Sequence, residues 1–218
     1  MGKGSKGSTD AKAAGYMDAD GGGGSEQPSA ALRAANALSF VAALAANGAV
    51  GSKVGDVSHK YPNKIVPDGW AFSIWGIIYT LLIGFVVYQA RCPTKRSSHI
   101  IDRIGWLFVA SNVCNAAWIV TWCQGTPASC VASCPLLFAL LACNVAIAWR
   151  SGAWQPSEAV DRTWLDVLLV DVSFSIYSGW CTVAAIVNVA ASGVAYGMLA
   201  FTSPPVATSR QRSPRSDL

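Results

Sequence analysis

Apolar residues in this chain fall into five long stretches almost empty of charge, near 31–50, 69–90, 104–123, 129–149 and 167–190, with charged and helix-breaking residues gathered between them. Each stretch is about 20 residues, the length an α-helix needs to cross roughly 30 Å of hydrocarbon. The pattern therefore predicts an all-α integral membrane protein, a bundle of five transmembrane helices. Polar positions inside the stretches are few and recur at helical spacing. Asn36, Ser39 and Asn47 interrupt the alanine-rich first stretch, which reads as a helix packed against protein rather than lipid. Asn112, Asn115 and Trp118 step by three along one face of the third. Trp180, Ala184 and Asn188 step by four along the fifth, as Trp75 and Tyr79 do on the second. An amide in hydrocarbon must find a partner, so these faces are expected to look inward. The fifth stretch carries a second, polar stripe of Asp171, Ser175, Ser178 and Thr182, roughly opposite Trp180. Either stripe can be the inward one, and Asp171, the carboxylate expected inside the membrane, is a functional candidate by default.

Composition agrees with a lipid-facing surface: 52% of residues are hydrophobic and 13% charged, against roughly a quarter charged in soluble domains. Of nine tryptophans, Trp70, Trp106, Trp122, Trp149, Trp154 and Trp164 fall near span ends and are assigned to the interfacial aromatic belt or to ordinary packing. Trp75, Trp118 and Trp180 lie deeper, about 9, 7 and 15 Å from the nearest span end at 1.5 Å per residue. Five crossings put the N-terminus and the second and fourth connectors on one side, A, and the first and third connectors on the other, B. The second helix enters from B and the third and fifth exit there, so all three deep indoles share the side-B half. The only long side-B connector, 51–68, is placed to cover them. This describes a lidded, aromatic-lined pocket; the competing reading is a bundle core in which the rings merely pack on one another.

The rest of the chain adds less. Residues 1–29, rich in Gly, Ser and Ala, and the arginine- and serine-bearing 204–218 are expected to be unstructured ends. The apolar run after Asn188 is too short for a sixth span and reads as an extension of the fifth helix. Arg91, Lys95, Arg96, Arg103, Arg150 and Arg162 sit in side-A connectors, against Lys53, Lys60, Lys64 and the arginine tail on B, a bias that makes A the cytoplasmic or matrix side. The seven cysteines form no C-x-x-C pair, and no metal site is expected. They read mostly as small packing residues, with a Cys123–Cys130 bridge as the alternative. His59 and His99 fall in connectors, so no His-based catalytic constellation is on offer and the chain is not expected to be an enzyme.

Three strings carry a resemblance: Pro67-Asp-Gly-Trp-Ala-Phe-Ser-Ile-Trp-Gly-Ile-Ile-Tyr79, Asn112-Val-Cys-Asn-Ala-Ala-Trp118, and Ser173 through Trp180 to Asn188. In this order the chain resembles the tryptophan-rich sensory proteins, also called translocator proteins or peripheral benzodiazepine receptors, and most closely their divergent branch, over about 31–190. The resemblance implies a five-helix bundle, often dimeric, that binds tetrapyrroles such as porphyrin and haem, sterols and synthetic aromatic ligands beneath the first loop. It also implies that Trp75, Asn115, Trp118, Trp180, Ala184 and Asn188 line or brace that pocket. Ser73 stands where the family usually has proline, Ala116 where it has a second tryptophan, and the sterol-recognition tail of animal members has no clear counterpart, which turns the expectation toward tetrapyrroles.

Three functions are thus expected to compete. The leading one is a membrane receptor or carrier for a flat hydrophobic ligand, a tetrapyrrole, held by Trp75, Tyr79, Asn115, Trp118, Trp180, Ala184 and Asn188 without a resident cofactor. The second is an ion or small-solute transporter using Asp171, Ser175, Ser178 and Thr182. The third is a structural subunit whose stripes are interfaces, with Gly193 and Gly197 four apart for close helix approach. The expected partners are the bilayer, a hydrophobic small molecule and a second copy of the chain, and not nucleic acid.

Overall fold

The computed structural model describes residues 30–91, 95–154 and 162–199. The expected ends 1–29 and 204–218 lie outside the described residues, within which helix is the only regular secondary structure.

The first span, α1, is Ala30–Val50, about 32 Å long at 1.5 Å per residue. It runs through a 3₁₀ turn, Gly51–Lys53, into α2, Val54–Lys60. The second opens with the 3₁₀ turn Gly69–Ser73 and continues as α3, Ile74–Arg91. After α4, Lys95–Ile104, the third span is α5, Leu107–Trp122, and the fourth is α6, Pro127–Ser151. The fifth starts with one turn, α7, Trp164–Asp166, passes through a π-helical segment, Val167–Val172, and ends as α8, Ser173–Ala195. Four of these elements are long and apolar enough to cross a membrane alone, and α4 with α5, bent by 52°, raises the number to five.

Three expectations are corrected. The third span does not start at 104: Gly105 takes φ +53°, a conformation open to glycine at little cost, and breaks the helix there. Residues 95–104, read as a connector, form an amphipathic helix that buries Ser97, Ile100, Ile101 and Ile104 and exposes Lys95, His99 and Asp102. The spacing i, i+3, i+4, i+7 is that of a helix lying on the bundle end. Second, His59 and His99 are on helices, α2 and α4, not in loops. Third, the alternative held open for Cys123 and Cys130, a bridge, is not formed: both are free thiols, and Cys123 Sγ lies 3.3 Å from the Val50 carbonyl.

The broadest interfaces are α5–α6, α6–α8 and α1–α5, and α3 closes the ring through thinner contacts with α8 and α1. Around the bundle the spans therefore run first, third, fourth, fifth, second. Since lipid is as apolar as a leucine side chain, interhelical hydrogen bonds and close packing carry the association. Asn36 Nδ2 donates to Gln89 Oε1 at 2.9 Å, Asn112 Nδ2 to Ser39 Oγ at 3.1 Å, Asn47 Nδ2 to Asn115 Oδ1 at 2.7 Å, and Ser111 Oγ to Asn144 Oδ1 at 2.9 Å. The polar interruptions of the first span thus face protein, as their composition implied. Gly84 gives α3 its closest approach: a Cβ there would stand 2.7 Å from Leu169 Cδ2.

The two halves of the bundle interior differ. Toward side A, Phe85, Phe108 and Phe174 meet edge to face, with centroids 5.0 to 5.9 Å apart, and Phe40 joins at 6.1 Å, all four buried. Toward side B the interior is built of indoles.

Candidate functional site

The site is assembled around Trp75, in the first turn of α3. Its ring stacks on Tyr79 (centroids 5.5 Å, 20° between planes) and on Trp118 of α5 (6.0 Å, 27°). It meets Tyr177 and Trp180 of α8 edge-on at 6.0 and 6.2 Å. Phe72, from the 3₁₀ turn that leads into α3, meets Trp180 edge-on at 5.9 Å. Such offset-stacked and edge arrangements are those that aromatic quadrupoles favour. Trp75, Tyr79, Trp118 and Trp180 are therefore brought together, as the parity of the spans requires.

Asn188 holds this cluster rather than facing open space. Its Oδ1 accepts from Trp118 Nε1 at 3.1 Å and from Ser133 Oγ at 3.0 Å, while Nδ2 donates to the Cys130 carbonyl at 3.0 Å. One buried amide thereby ties α8 to α5 and to the first turns of α6, and fixes the azimuth of the Trp118 ring. Asn188→Leu strands the buried Trp118 indole N–H, at about 1–3 kcal/mol, and removes the tie from α8 to α6, where Ser133 Oγ keeps its bond to the Cys130 carbonyl at 2.8 Å. It is expected to lower the thermal midpoint in detergent by several degrees and to red-shift tryptophan emission; an unchanged midpoint and spectrum would remove the bracing role.

Two spaces adjoin the cluster. One is a half-open chamber of about 30 Å³ among Trp75, Trp118, Trp122, Trp180, Ala184 and Asn188, room for about one water molecule. The other is a cleft of about 400 Å³ bordered by Asn47, Gly51, Gly55, His59, Trp75 and Tyr79. Phe72, Trp75 and Val54 border both. The lid expected from 51–68 is present, but as a helix: α2 crosses the side-B end, its C-terminus tied by Lys60 Nζ (2.7 Å) and Tyr61 Oη (3.0 Å) donating to the Gly125 carbonyl. Gly125 itself sits at φ +62° in the α5–α6 turn. Three buried polar atoms in this half have no hydrogen-bond partner in the protein: Trp180 Nε1, Tyr79 Oη and Asn115 Nδ2. The Asn115 amide stands beside the Tyr79 hydroxyl without completing a bond.

Sequence reasoning missed several of these residues. Trp122, assigned to the belt, is 2% exposed, borders the chamber and points its indole N–H at the Val54 carbonyl, 3.5 Å away. Its spacing of four from Trp118 was the available signal. Phe72, Tyr177 and Asn47 were also passed over. Trp70, Trp106, Trp149, Trp154 and Trp164 are all exposed, as belt residues should be.

The polar stripe of the fifth span is not assembled into a path. Asp171 accepts from Arg162, and Thr182, exposed on the outside of α8, donates back to the Ser178 carbonyl at 2.9 Å. Ser178 is buried with no partner for its hydroxyl, and Ser175 is half-buried. The buried face of α8 runs through Phe174, Tyr177, Ser178, Cys181, Ala185 and Asn188, and so takes one residue from each stripe, Ser178 and Asn188. The fully buried carboxylate of this region is Asp166, not Asp171: it accepts from Tyr88, from Ser97 Oγ at 3.3 Å and from the Thr163 N–H and hydroxyl at 2.8 and 2.9 Å. Among the described residues no three His, Cys, Asp or Glu side chains are placed to hold a metal ion.

Comparison with known proteins gives a single kind of match. No curated protein and no solved structure matches the chain. The family profile described as TSPO-like protein matches residues 31–209, which takes in all five spans and every residue of the indole cluster. An all-helical fold with five apolar spans, carrying its indoles in the order set out above, agrees with that match, and the chain belongs to the TSPO-like protein family, as an integral membrane protein of the receptor and transporter class.

Proposed function

We propose that this protein is a membrane receptor or carrier that holds a flat hydrophobic ligand, a tetrapyrrole, in the side-B half of the bundle, between the α2 lid and the Trp75 cluster. The observation that carries this reading is the set of unpartnered buried groups, Trp180 Nε1, Tyr79 Oη and Asn115 Nδ2, set among aromatic faces. A buried donor left unmade costs about 1–3 kcal/mol, and a planar ligand edged with acceptor groups would recover it while its faces stack on indole. The cleft of about 400 Å³ lies in the range of roughly 300–1,000 Å³ usual for small-molecule sites. The chamber behind it is too small for any such ligand as it stands, so binding has to part Phe72 and Trp75, which separate the two spaces. Both belong to the second span, whose interfaces are the thinnest in the ring.

The phenylalanine cluster supports a receptor or carrier over an open conduit, since it fills the interior on the side-A end of the same bundle. A ligand in this site reaches one membrane face, or the lipid, and not both aqueous sides at once.

Titration of the detergent-solubilised protein with metal-free protoporphyrin IX is expected to quench tryptophan emission saturably, because Trp75, Trp118, Trp122 and Trp180 all border the ligand space. Replacing Trp118 and Trp180 together by Phe should cut the quenching amplitude to less than half while leaving the fold intact by circular dichroism. Linear, non-saturating quenching in the wild type, or full amplitude in the double variant, would refute the site.

A further inference from the structure

Resting on the pocket reading above, we infer that His59 is an axial ligand for the metal of a metallated tetrapyrrole seated in the cleft. His59 is on the α2 lid, borders the 400 Å³ cleft with Trp75 and Tyr79, and is exposed. Its Nδ1 lies 2.7 Å from the Gly55 carbonyl. A carbonyl oxygen only accepts, so Nδ1 carries the proton, and in the neutral ring Nε2 is left with its lone pair free. This is the arrangement found in metal-ligating histidines, where a backbone carbonyl on one nitrogen fixes the tautomer and ring orientation and raises the basicity of the other.

The donor set then selects the kind of metal species. Among the described residues no second and third side chain converge with His59, so a bare divalent ion would find one protein ligand where three or four are needed. A metal that uses His59 must bring its own equatorial ligands. A tetrapyrrole does so with four in-plane nitrogens and an open axial position, and haem iron is commonly held by one histidine. The flat macrocycle and the single imidazole belong to the same ligand: the aromatic wall of Trp75 and Tyr79 suits the ring and the lid supplies the axial nitrogen. Coordination from α2 also ties lid closure to the metal, because α2 is the element that covers the cleft.

The test compares iron protoporphyrin IX with metal-free protoporphyrin IX on the purified full chain. The ferric and ferrous complexes of the wild type are expected to show the Soret and visible bands of histidine-ligated haem. His59→Gly and His59→Ala should lose those bands and bind iron protoporphyrin at least about tenfold more weakly, the lower bound set by what even indirect partners of a metal ligand cost. Added imidazole should restore the bands in His59→Gly. The metal-free porphyrin should still quench saturably in both His59 variants, with an affinity loss smaller than that for iron protoporphyrin, and His99→Ala, on α4 at the other end of the bundle, should behave as wild type. Unchanged haem bands in both His59 variants with quenching intact overturns the His59 assignment alone. Absence of saturable binding of either porphyrin to the wild type overturns the pocket and His59 together.

Discussion

Trp75→Ala is expected to abolish saturable porphyrin binding, with a loss of about a hundredfold or more in affinity. Trp75 is the one ring in contact with Tyr79, Trp118, Tyr177 and Trp180, and it borders both the chamber and the cleft. Aromatic pairs contribute about 0.5–1.5 kcal/mol each beyond area, and a hundredfold corresponds to about 2.8 kcal/mol, which loss of the indole and collapse of its neighbours into the space would exceed. Trp75→Phe keeps a ring that stacks on Tyr79 and should cost about tenfold or less. The comparison separates binding from packing. If the cluster were only core, both variants would lower the thermal midpoint while the wild type showed no saturable titration to lose. Wild-type affinity in Trp75→Ala would remove Trp75 from the site.

Much of this site could be read in the sequence because the side-B cluster rests on two things a sequence displays, span parity and helical spacing. Trp75 with Tyr79, and Asn115 with Trp118, meet across helices because each pair shares a face and the spans alternate in direction. What failed did so for geometric reasons. Distance from a span end gives depth but not azimuth, so Trp122 read as a belt residue although it lies one turn from Trp118 on the same face. The α2 lid has seven residues, too few to display a helical period, so His59 read as a loop residue. In α4 a buried face of Ser97, Ile100, Ile101 and Ile104 was obscured by Lys95 and Arg103. The polar stripe of the fifth span rested on extrapolating 100° per residue back to Asp171. The π-helical segment Val167–Val172 winds more residues into each turn, so that extrapolation breaks down at Asp171, which is paired with Arg162 rather than continuing toward Thr182. Interhelical amides such as Asn47–Asn115 were legible only as buried polar residues seeking partners, since nothing in one chain names which amide meets which.

The second large effect lies at the other end of the molecule, at Asp166. This carboxylate is fully buried and accepts from Tyr88 of α3, Ser97 of α4 and the Thr163 backbone and hydroxyl ahead of α7. The consecutive helices α3 and α4 and the start of the fifth span therefore converge on two oxygen atoms, and with Thr163 the residue forms a reciprocal capping box that starts that span. Hydrogen bonds to a charged group contribute about 1.5–3 kcal/mol each, so Asp166→Ala, which takes the shared acceptor from all of them, should cost about 3–5 kcal/mol, as breaking a buried charged network does. At roughly 2–4 °C per kcal/mol for a chain of this size, the midpoint in detergent should fall by about 10 °C or more. Asp166→Asn keeps the shape but sets an amide where acceptors are required and should fall between the two. Because the Phe85, Phe108 and Phe174 layer separates this network from the indoles, porphyrin affinity measured well below the midpoint should stay within about twofold of wild type, RT ln 2 being only about 0.4 kcal/mol. A midpoint unmoved by Asp166→Ala would show that the network does not hold the helices. Loss of porphyrin affinity in protein still folded would show that the two ends act as one unit, and the phenylalanine layer would then transmit the change rather than isolate the site.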